Sequence, residues 1–478
     1  MGSYFVHTFG CQMNAHDSER MESVLFAHGW VAAPSAEEAD LVVFNTCSVR
    51  ERAEQKLRSE AGKLAPLKRR RPDLVICVAG CVAQQEGERL LRQIPHVDLV
   101  VGPDNIAELP ALVLDQQSGA PPRAHTVFDL DRPRFLPVSY AGGAAPPSAW
   151  VTTMKGCDER CSFCIVPTTR GPERYRPADE IVEEIHHVVG AGAREVTLLG
   201  QTVDSFRDPG LPPPASADPD ETQFPHLLAR IAREVPGLLR LRYTSPHPRH
   251  ATPSLVQAHA TLDVLARHVH LPVQSGSDRV LRRMIRRYTR AEYVTRARAL
   301  QEARPDLTLS TDVIVGFPGE TDADFEGTLA LVREVGFVSL FGFKYSERPG
   351  TPASRLADDV PEDVKADRLR RLFELSESQG KAHLERLVGG TERVLVEGPS
   401  KGGSAGAGMQ IVTGRTERNE IVHMEIPEGV DATGAVVSAS ITRAYKHSLR
   451  GEIAPADLRR MPRSAGRKRR ALPVLGAP

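Results

Sequence analysis

Short apolar runs alternate with amphipathic segments over the first 110 or so residues. "YFVHTFG", "DLVVFNT", "DLVICVAG" and "VDLVVG" have the near-continuous hydrophobic character of buried parallel strands. Between them, "DSERMESVLFAHG", "RERAEQKLRSEAGKL" and "QEGERLLRQI" carry apolar residues at helical spacing. The pattern predicts a small doubly wound α/β domain over residues 1–115. A longer series begins at 149, with candidate strands "AWVTTMK", "EVTLLGQ", "LLRLRYTS", "HVHLPV", "LTLSTDVIVGF" and "FVSLFGFKY". Amphipathic segments at 177–190, 223–235, 254–265, 277–303 and 321–335 separate them. Six such units predict a partial (β/α)6 barrel over 149–380 rather than a closed eight-stranded one, with its active face at the carboxyl ends of the strands. After a helical connector at 361–388, "ERVLVEG", "GMQIVTGRT", "EIVHMEI" and "AVVSASITRAY" alternate apolar and polar residues between Gly-rich breaks. They predict a small antiparallel β-barrel over 384–450, of a kind that can bind single-stranded nucleic acid. Residues 116–148 are rich in Pro, Gly and Ala and read as a linker. The aperiodic, basic stretch 451–478 reads as a disordered tail.

Composition adds little on partners, because 61 basic residues balance 61 acidic ones. It says more about compartment. The start "MGSYFVHTFG" lacks the basic and apolar blocks of a signal peptide, and no run approaches the roughly 18 apolar residues of a membrane span. A cytoplasmic, reducing location with no membrane partner is the expectation. There, seven cysteines point to metal binding or catalysis rather than to disulfides.

Cys11, Cys47 and Cys81 each follow one of the first three strands, where open α/β sheets place their ligands. They are expected to converge on one point, with core packing as the competing reading. Cys77, inside "LVICVAG", reads as a buried core thiol. Cys157, Cys161 and Cys164 crowd the stretch "MKGCDERCSFCIVP" directly after the first barrel strand. Structural zinc asks for four ligands, and each of these sets offers three. An iron–sulfur cluster tolerates the deficit: three thiolates hold three irons of a [4Fe–4S] cluster and leave the fourth open for a substrate or cosubstrate.

The Cys-x3-Cys-x2-Cys loop, with the aromatic Phe163 before its last cysteine, resembles the signature of the radical S-adenosylmethionine (SAM) superfamily. "TFGCQMNAHDSERM", "NTCSVRERAE", "AGCVAQ", "GCDERCSFCIVPTTRG", "HLPVQSGSDRVLRRM", "STDVIVGFPGET" and "YSERPGTPA" together are similar to the methylthiotransferases that modify tRNA. The likeness spans residues 4 to about 450 and implies a C-terminal TRAM domain for the small barrel. It further implies two [4Fe–4S] clusters, an auxiliary one on Cys11, Cys47 and Cys81 and a SAM-cleaving one on Cys157, Cys161 and Cys164. Two SAM molecules would be used per turnover, one to methylate sulfur and one to supply a 5′-deoxyadenosyl radical that removes hydrogen from C2 of an adenine.

"TFGCQMN" and "VPTTRG" are closest to the bacterial subgroup acting on N6-isopentenyladenosine next to the anticodon. A relative acting on N6-threonylcarbamoyladenosine is the alternative substrate reading. A non-enzymatic Fe–S RNA-binding sensor and a zinc-stabilised RNA-binding scaffold are the alternatives of another class. Expected partners are tRNA carrying N6-isopentenyladenosine, an electron donor such as flavodoxin or ferredoxin, and a sulfur source, with the chain acting as a monomer. Two stretches depart from the family. "QTVDSF" (201–206) stands where Asn is usual at the second and fourth positions, and "RYR" (174–176) has Tyr in place of Ser. Neither is expected to touch a cluster ligand.

Gln274 and Ser275, in the turn after the fourth barrel strand, are candidates to contact SAM or the base; an ordinary polar turn is the competing reading. Gly316, Phe317 and Pro318 resemble the superfamily loop that holds the SAM adenine, against a tight Pro/Gly turn. Phe163 belongs to the same cofactor-binding expectation. Arg282, Arg283, Arg286, Arg287 and Arg290 crowd one helical region and read as a phosphate-contacting surface, while Arg415 (in "TGRT", beside Thr416) and Arg443 match TRAM positions where RNA contacts are expected.

Overall fold

The structure, a computed structural model, describes residues 2–48, 51–130, 133–138, 140, 144–400, 402 and 405–462. The N-terminal sheet is wholly parallel. Its six strands lie in the order Val31–Ala32, Ser3–Phe9, Leu41–Thr46, Val75–Gly80, Leu99–Val101, Arg123–His125. Helices cover both faces, and one core lies on each side of the sheet. The four strands read from the sequence are the four central ones. The two edge strands, at Val31 and Arg123, are short and exposed or half-buried, so they carry no apolar run to find. Arg123–His125 also corrects the linker expected over 116–148: its backbone extends the sheet, and Leu136 further on packs against the core.

The central region is two three-stranded parallel sheets laid edge to edge. One has the order Arg240–Tyr243, Glu195–Leu199, Ser148–Thr152; the other has His268–His270, Thr308–Val315, Ser339–Lys344. Leu241 joins them through parallel bridging to residues 264–266. All six predicted strands are present, and they form a half-open barrel whose outer helices share one large core. The segment expected as one helix over 277–303 is two, Asp278–Arg283 and Arg290–Ala303. Ile285 (φ 58°) and Arg287 (φ 51°) break it, both in the left-handed region that costs an ordinary residue about 1–2 kcal/mol.

The C-terminal barrel closes with five strands, in the order Thr391–Pro399, Met409–Thr416, Ile421–Pro427, Leu449–Ile453, Val436–Ala444. Its ladders are antiparallel except between Ile421–Pro427 and Leu449–Ile453, which run parallel. The last strand falls partly inside the tail expected over 451–478. Leu449, Gly451 and Ile453 alternate inward, and a helix, Pro455–Arg460, follows. The remainder of that tail, from 463, lies outside the described residues. The barrel docks on the central region through arginines that donate to its backbone: Arg240 to Arg415 O (3.3 Å), Arg242 to Thr416 O (2.9 Å) and to Glu417 O (3.3 Å). Glu195, buried, neutralises Arg240 and Arg242 at 3.0 and 2.9 Å. Among the described residues no helix is long and apolar enough to cross a membrane.

Candidate functional site

Parallel register brings the first three cysteines to one end of the sheet. Phe9 pairs with Thr46, and Thr46 with Gly80, so the chain leaves three adjacent strands at one level. Strands in such a sheet lie about 4.8 Å apart. The strand order also reverses at Ser3–Phe9, the topological switch point where these sheets bind ligands. Cys11 caps the helix Gln12–Ala27, Cys47 follows its strand directly, and Cys81 opens the helix Cys81–Glu86. Close approach depends on Gly10 and Gly80. A Cβ on Gly10 would sit 2.5 Å from Cys47 Cβ, and one on Gly80 would sit 2.3 Å from Asn45 Oδ1. A buried network of Asn14, Asn45 and Ser18 holds the strand ends, with Asn45 donating to Asn14 O at 2.7 Å and to Ser18 Oγ at 2.9 Å. A hydrogen bond from the Cys47 thiol pulls the Cys11 thiol down to about 6. Cys77 is wholly buried, and burial raises its thiol far above the ordinary range.

The second set sits in a loop pinned at its base by the short antiparallel pair Met154–Lys155 and Arg174–Tyr175. Cys157 N donates to Gly171 O (3.1 Å), and Cys164 N to Cys161 O (3.1 Å). Ser162 fastens the middle of the loop by donating to Met284 O (2.9 Å) and Arg283 O (2.8 Å). Burial raises the Cys157 and Cys164 thiols. Such thiols gain most from a metal that stabilises the thiolate. Thr202 Oγ1 lies 3.0 Å from Cys157 Sγ, and Arg286 Nη1 donates to Cys161 Sγ at 3.3 Å.

Gly156 sets the turn into this loop at φ +80°, and a Cβ there would lie 1.9 Å from Pro172 O and 2.5 Å from Gly171 O. Gly156→Ala is therefore expected to push Cys157 out of register. A misplacement of about 1 Å near chemistry costs on the order of a hundredfold, so SAM cleavage by the anaerobically reconstituted variant should fall by about that factor.

Beside Cys157 lies a group of buried polar atoms with no hydrogen-bond partner among the described residues: Gln201 Oε1 and Nε2, Asp204 Oδ2, Glu159 Oε2 and His247 Nε2. Asp204, His247 and Glu159 belong together. Asp204 Oδ1 accepts from His247 N at 2.8 Å, and Glu159 approaches His247 Nε2 at 3.9 Å. Burial raises the Asp204 carboxyl to about 7 and holds His247 neutral. Unsatisfied buried polar groups are costly, and here they mark where a polar ligand would bind. Among the described residues no three His, Cys, Asp or Glu side chains close on a single-ion position.

A charged seam joins the N-terminal domain to the barrel beside both sets. Arg170, on the helix Val166–Arg170, donates to Cys81 Sγ at 3.2 Å and to Asp17 Oδ2 at 2.5 Å. Burial alone would raise the Asp17 carboxyl, but Arg170 and His16 bring it down to about 2. Arg20 and Arg176 share Glu184, Arg174 and Lys155 share Asp104, and His16 meets Thr152 Oγ1 at 2.8 Å.

Other predicted site residues divide. Phe163 packs against the small cluster that contains Phe317 and Tyr345, so two of the expected cofactor residues share it. Phe317 is wholly buried within it. Gly316, at φ +68°, donates its N–H to Glu320 (2.6 Å), and Pro318 O accepts from Arg283 (3.0 Å). Gln274 holds φ +71° at a bridge to Val313. Ser275 is buried, and its Oγ accepts from Ser277 N at 3.2 Å, which is the ordinary-turn reading.

The arginine run needs correction as an RNA surface. Arg286 is buried on Cys161, Tyr288 and Pro272 O; Arg283 is bound to Pro318 O; Arg290 pairs with Glu334. Arg282, Arg283 and Arg287 are exposed, and of these only the side chains of Arg282 and Arg287 form no hydrogen bond or salt bridge among the described residues. Arg415 is half-buried and paired with Glu397 at 3.1 Å, while Thr416 is fully buried at the docking face. Arg443 is exposed, with its guanidinium 5.2 Å from the Tyr445 ring centre. The departure at "QTVDSF" also differs from expectation, since Thr202 reaches a predicted cluster ligand. In "RYR", Tyr175 hydrogen-bonds Glu173 and lies 3.4 Å from Ser205 Oγ. Arg170, Gln201, Asp204 and His247 escape sequence reasoning as individual residues. Their signals are the polar strand-end turns "GQTVDS" and "SPHP" and the Arg of "TTRG".

Comparison with known proteins completes the picture. Residues 3–102 match the uncharacterized protein family UPF0004, and residues 151–332 match the Radical SAM superfamily. A tRNA-2-methylthio-N(6)-dimethylallyladenosine synthase of Sorangium cellulosum is 64% identical over 100% of this chain and 99% of its own. A protein of the same description from Ralstonia nicotianae is 43% identical over 95% and 98%. Among solved structures, the radical S-adenosylmethionine methyltransferase TsrM from Kitasatospora setae, with cobalamin and a [4Fe–4S] cluster bound, superposes with a TM-score of 0.51. It is 14% identical, over 86% of this chain and 81% of that one, a likeness of fold alone.

Proposed function

The chain belongs to the family of tRNA-2-methylthio-N(6)-dimethylallyladenosine synthases, and from that premise we propose how its own residues carry the reaction. It is a radical SAM enzyme that uses SAM and [4Fe–4S] clusters to place a methylthio group on C2 of N6-isopentenyladenosine in tRNA. The observation that supports our residue assignment best is that Arg170, six residues after Cys164, reaches the Cys81 sulfur across a buried seam.

Cys157, Cys161 and Cys164 would hold the cluster that binds SAM, and Cys11, Cys47 and Cys81 the auxiliary one. When bound, the first cluster supplies one electron to SAM, and the second carries the sulfur that is inserted. Three thiolates rather than four leave one iron in each for an exchangeable ligand. Gln201, Asp204, Glu159 and His247 would take the amino-acid and ribose groups of SAM, because each keeps a buried polar atom with no hydrogen-bond partner among the described residues. The Phe163–Phe317 cluster and the backbone of Gly316 and Pro318 would shape the adenine end. Cys157 and Cys161 are buried, and Cys164 and Phe163 are half-buried, which restricts water where a reactive radical requires its exclusion.

Arg282, Arg287 and Arg443 are the exposed cations we assign to tRNA phosphates, with Tyr445 beside Arg443 as a stacking surface for an unpaired base. A flavodoxin or ferredoxin as electron donor, an external sulfur source, a monomeric state and a cytoplasmic location complete the proposal. Mass spectrometry of tRNA nucleosides from a deletion strain tests it. Loss of the 2-methylthio group with accumulation of isopentenyladenosine is expected. A change confined to threonylcarbamoyladenosine would move the chain to the sister activity.

A further inference from the structure

Arg170 joins the two cysteine sites. It lies six residues after Cys164, at the end of the helix Val166–Arg170, and is 5% exposed. Its Nε donates to Cys81 Sγ at 3.2 Å, and its Nη2 donates to Asp17 Oδ2 at 2.5 Å. Asp17 stands on the helix that Cys11 caps. The backbone on either side of the guanidinium is fixed too. Arg174 donates to Arg170 O at 2.7 Å, and the carbonyl of Gly171 accepts the N–H of Cys157 at 3.1 Å. Residues 170 and 171 thus hold a ligand of each proposed cluster, one by a side chain and the other by a carbonyl.

Packing does not explain this placement. A buried guanidinium is expensive to desolvate, and a merely structural seam could use an apolar pair. Asp17 neutralises the charge but leaves Nε aimed at sulfur. A thiolate bound to iron keeps lone pairs that accept hydrogen bonds, and such bonds help to set the reduction potential of the cluster. With Nε–H nearest the sulfur and Asp17 on the far side, the ion pair presents its positive end to the cluster and favours the more negative, reduced form.

We propose that Arg170 is a positioning residue that holds the Cys81 sulfur of the auxiliary cluster by a charge-assisted hydrogen bond, raises that cluster's reduction potential, and fixes it relative to the SAM-binding loop. This rests on the assignment of Cys11, Cys47 and Cys81 to a cluster.

The test uses the full chain with Cys157, Cys161 and Cys164 replaced by alanine, so that only the auxiliary cluster remains. After anaerobic reconstitution its midpoint potential is followed by electron paramagnetic resonance during a redox titration. Arg170→Gln should shift the midpoint to lower potential, with Arg170→Lys between it and the parent. Asp17→Asn removes a negative charge and leaves the arginine, so it should shift the midpoint the other way. Loosening of the seam would move both variants alike, since both lose the same ion pair. An unchanged midpoint in Arg170→Gln, or shifts of the same sign in Arg170→Gln and Asp17→Asn, would overturn the proposal. A parent protein that binds no iron would instead overturn the cluster assignment on which it rests.

Discussion

Replacing Cys157, Cys161 and Cys164 together by alanine is expected to abolish reductive SAM cleavage, with no 5′-deoxyadenosine formed above background under dithionite. The reason is the number of ligands. Each thiol of this loop is placed by its own contact: Cys157 by Gly171 O and Thr202, Cys161 by Arg286, Cys164 by the turn from Cys161 O. The described residues near the loop offer no fourth thiol, because the remaining cysteines lie in the N-terminal domain. Loss of all three removes every iron ligand at the site, while the Ser162 bonds to Arg283 O and Met284 O keep the loop seated. Circular dichroism should stay that of the native fold. Deoxyadenosine formation at the wild-type rate would refute the assignment.

The matching replacement of Cys11, Cys47 and Cys81 should have an equally large effect on a different product. SAM cleavage should persist, because the barrel loop and its polar surroundings are intact. The 2-methylthio nucleoside should fall below detection, because the sulfur-carrying cluster has lost its ligands. Liquid chromatography of a single reaction reads both quantities, and the separation of the two effects is the point of the pair. Were both triple variants to lose deoxyadenosine equally, the two sites would not have separate roles.

Much of this architecture is legible in the chain because parallel strands buried on both faces leave continuous apolar runs. "DLVVFNT" and "DLVICVAG" are examples, and Glu195–Leu199 in the central region is likewise buried throughout. His268–His270 and Ser339–Lys344, by contrast, are polar or largely exposed and are marked by their place in the repeating series. The short edge strands at Val31 and Arg123 bury little and leave no such mark. The last barrel strand, Leu449–Ile453, alternates over only five residues within a basic stretch, so its charge hides its period. The cysteines are legible as two sets through spacing and strand ends.

Charge is the poorest guide. Arginines at 282, 283, 286, 287 and 290 read as one cationic face, yet Ile285 and Arg287 adopt left-handed backbone and turn Arg286 inward onto Cys161. A sequence records that charge is present, but a tertiary kink decides whether it meets solvent or sulfur. Thr202 and Arg170 escape for a related reason. Their partners lie 45 and 89 residues away in the chain, and only the packed domains bring them together.

The central claim is that one chain carries two three-thiol sites, each holding its own cluster. Iron and sulfide analysis of anaerobically reconstituted protein tests it most directly. The wild type should saturate near about eight irons and eight sulfides per chain, and each triple-alanine variant near about four of each. Saturation of the wild type near four, or a triple variant that keeps the full complement, would contradict the account.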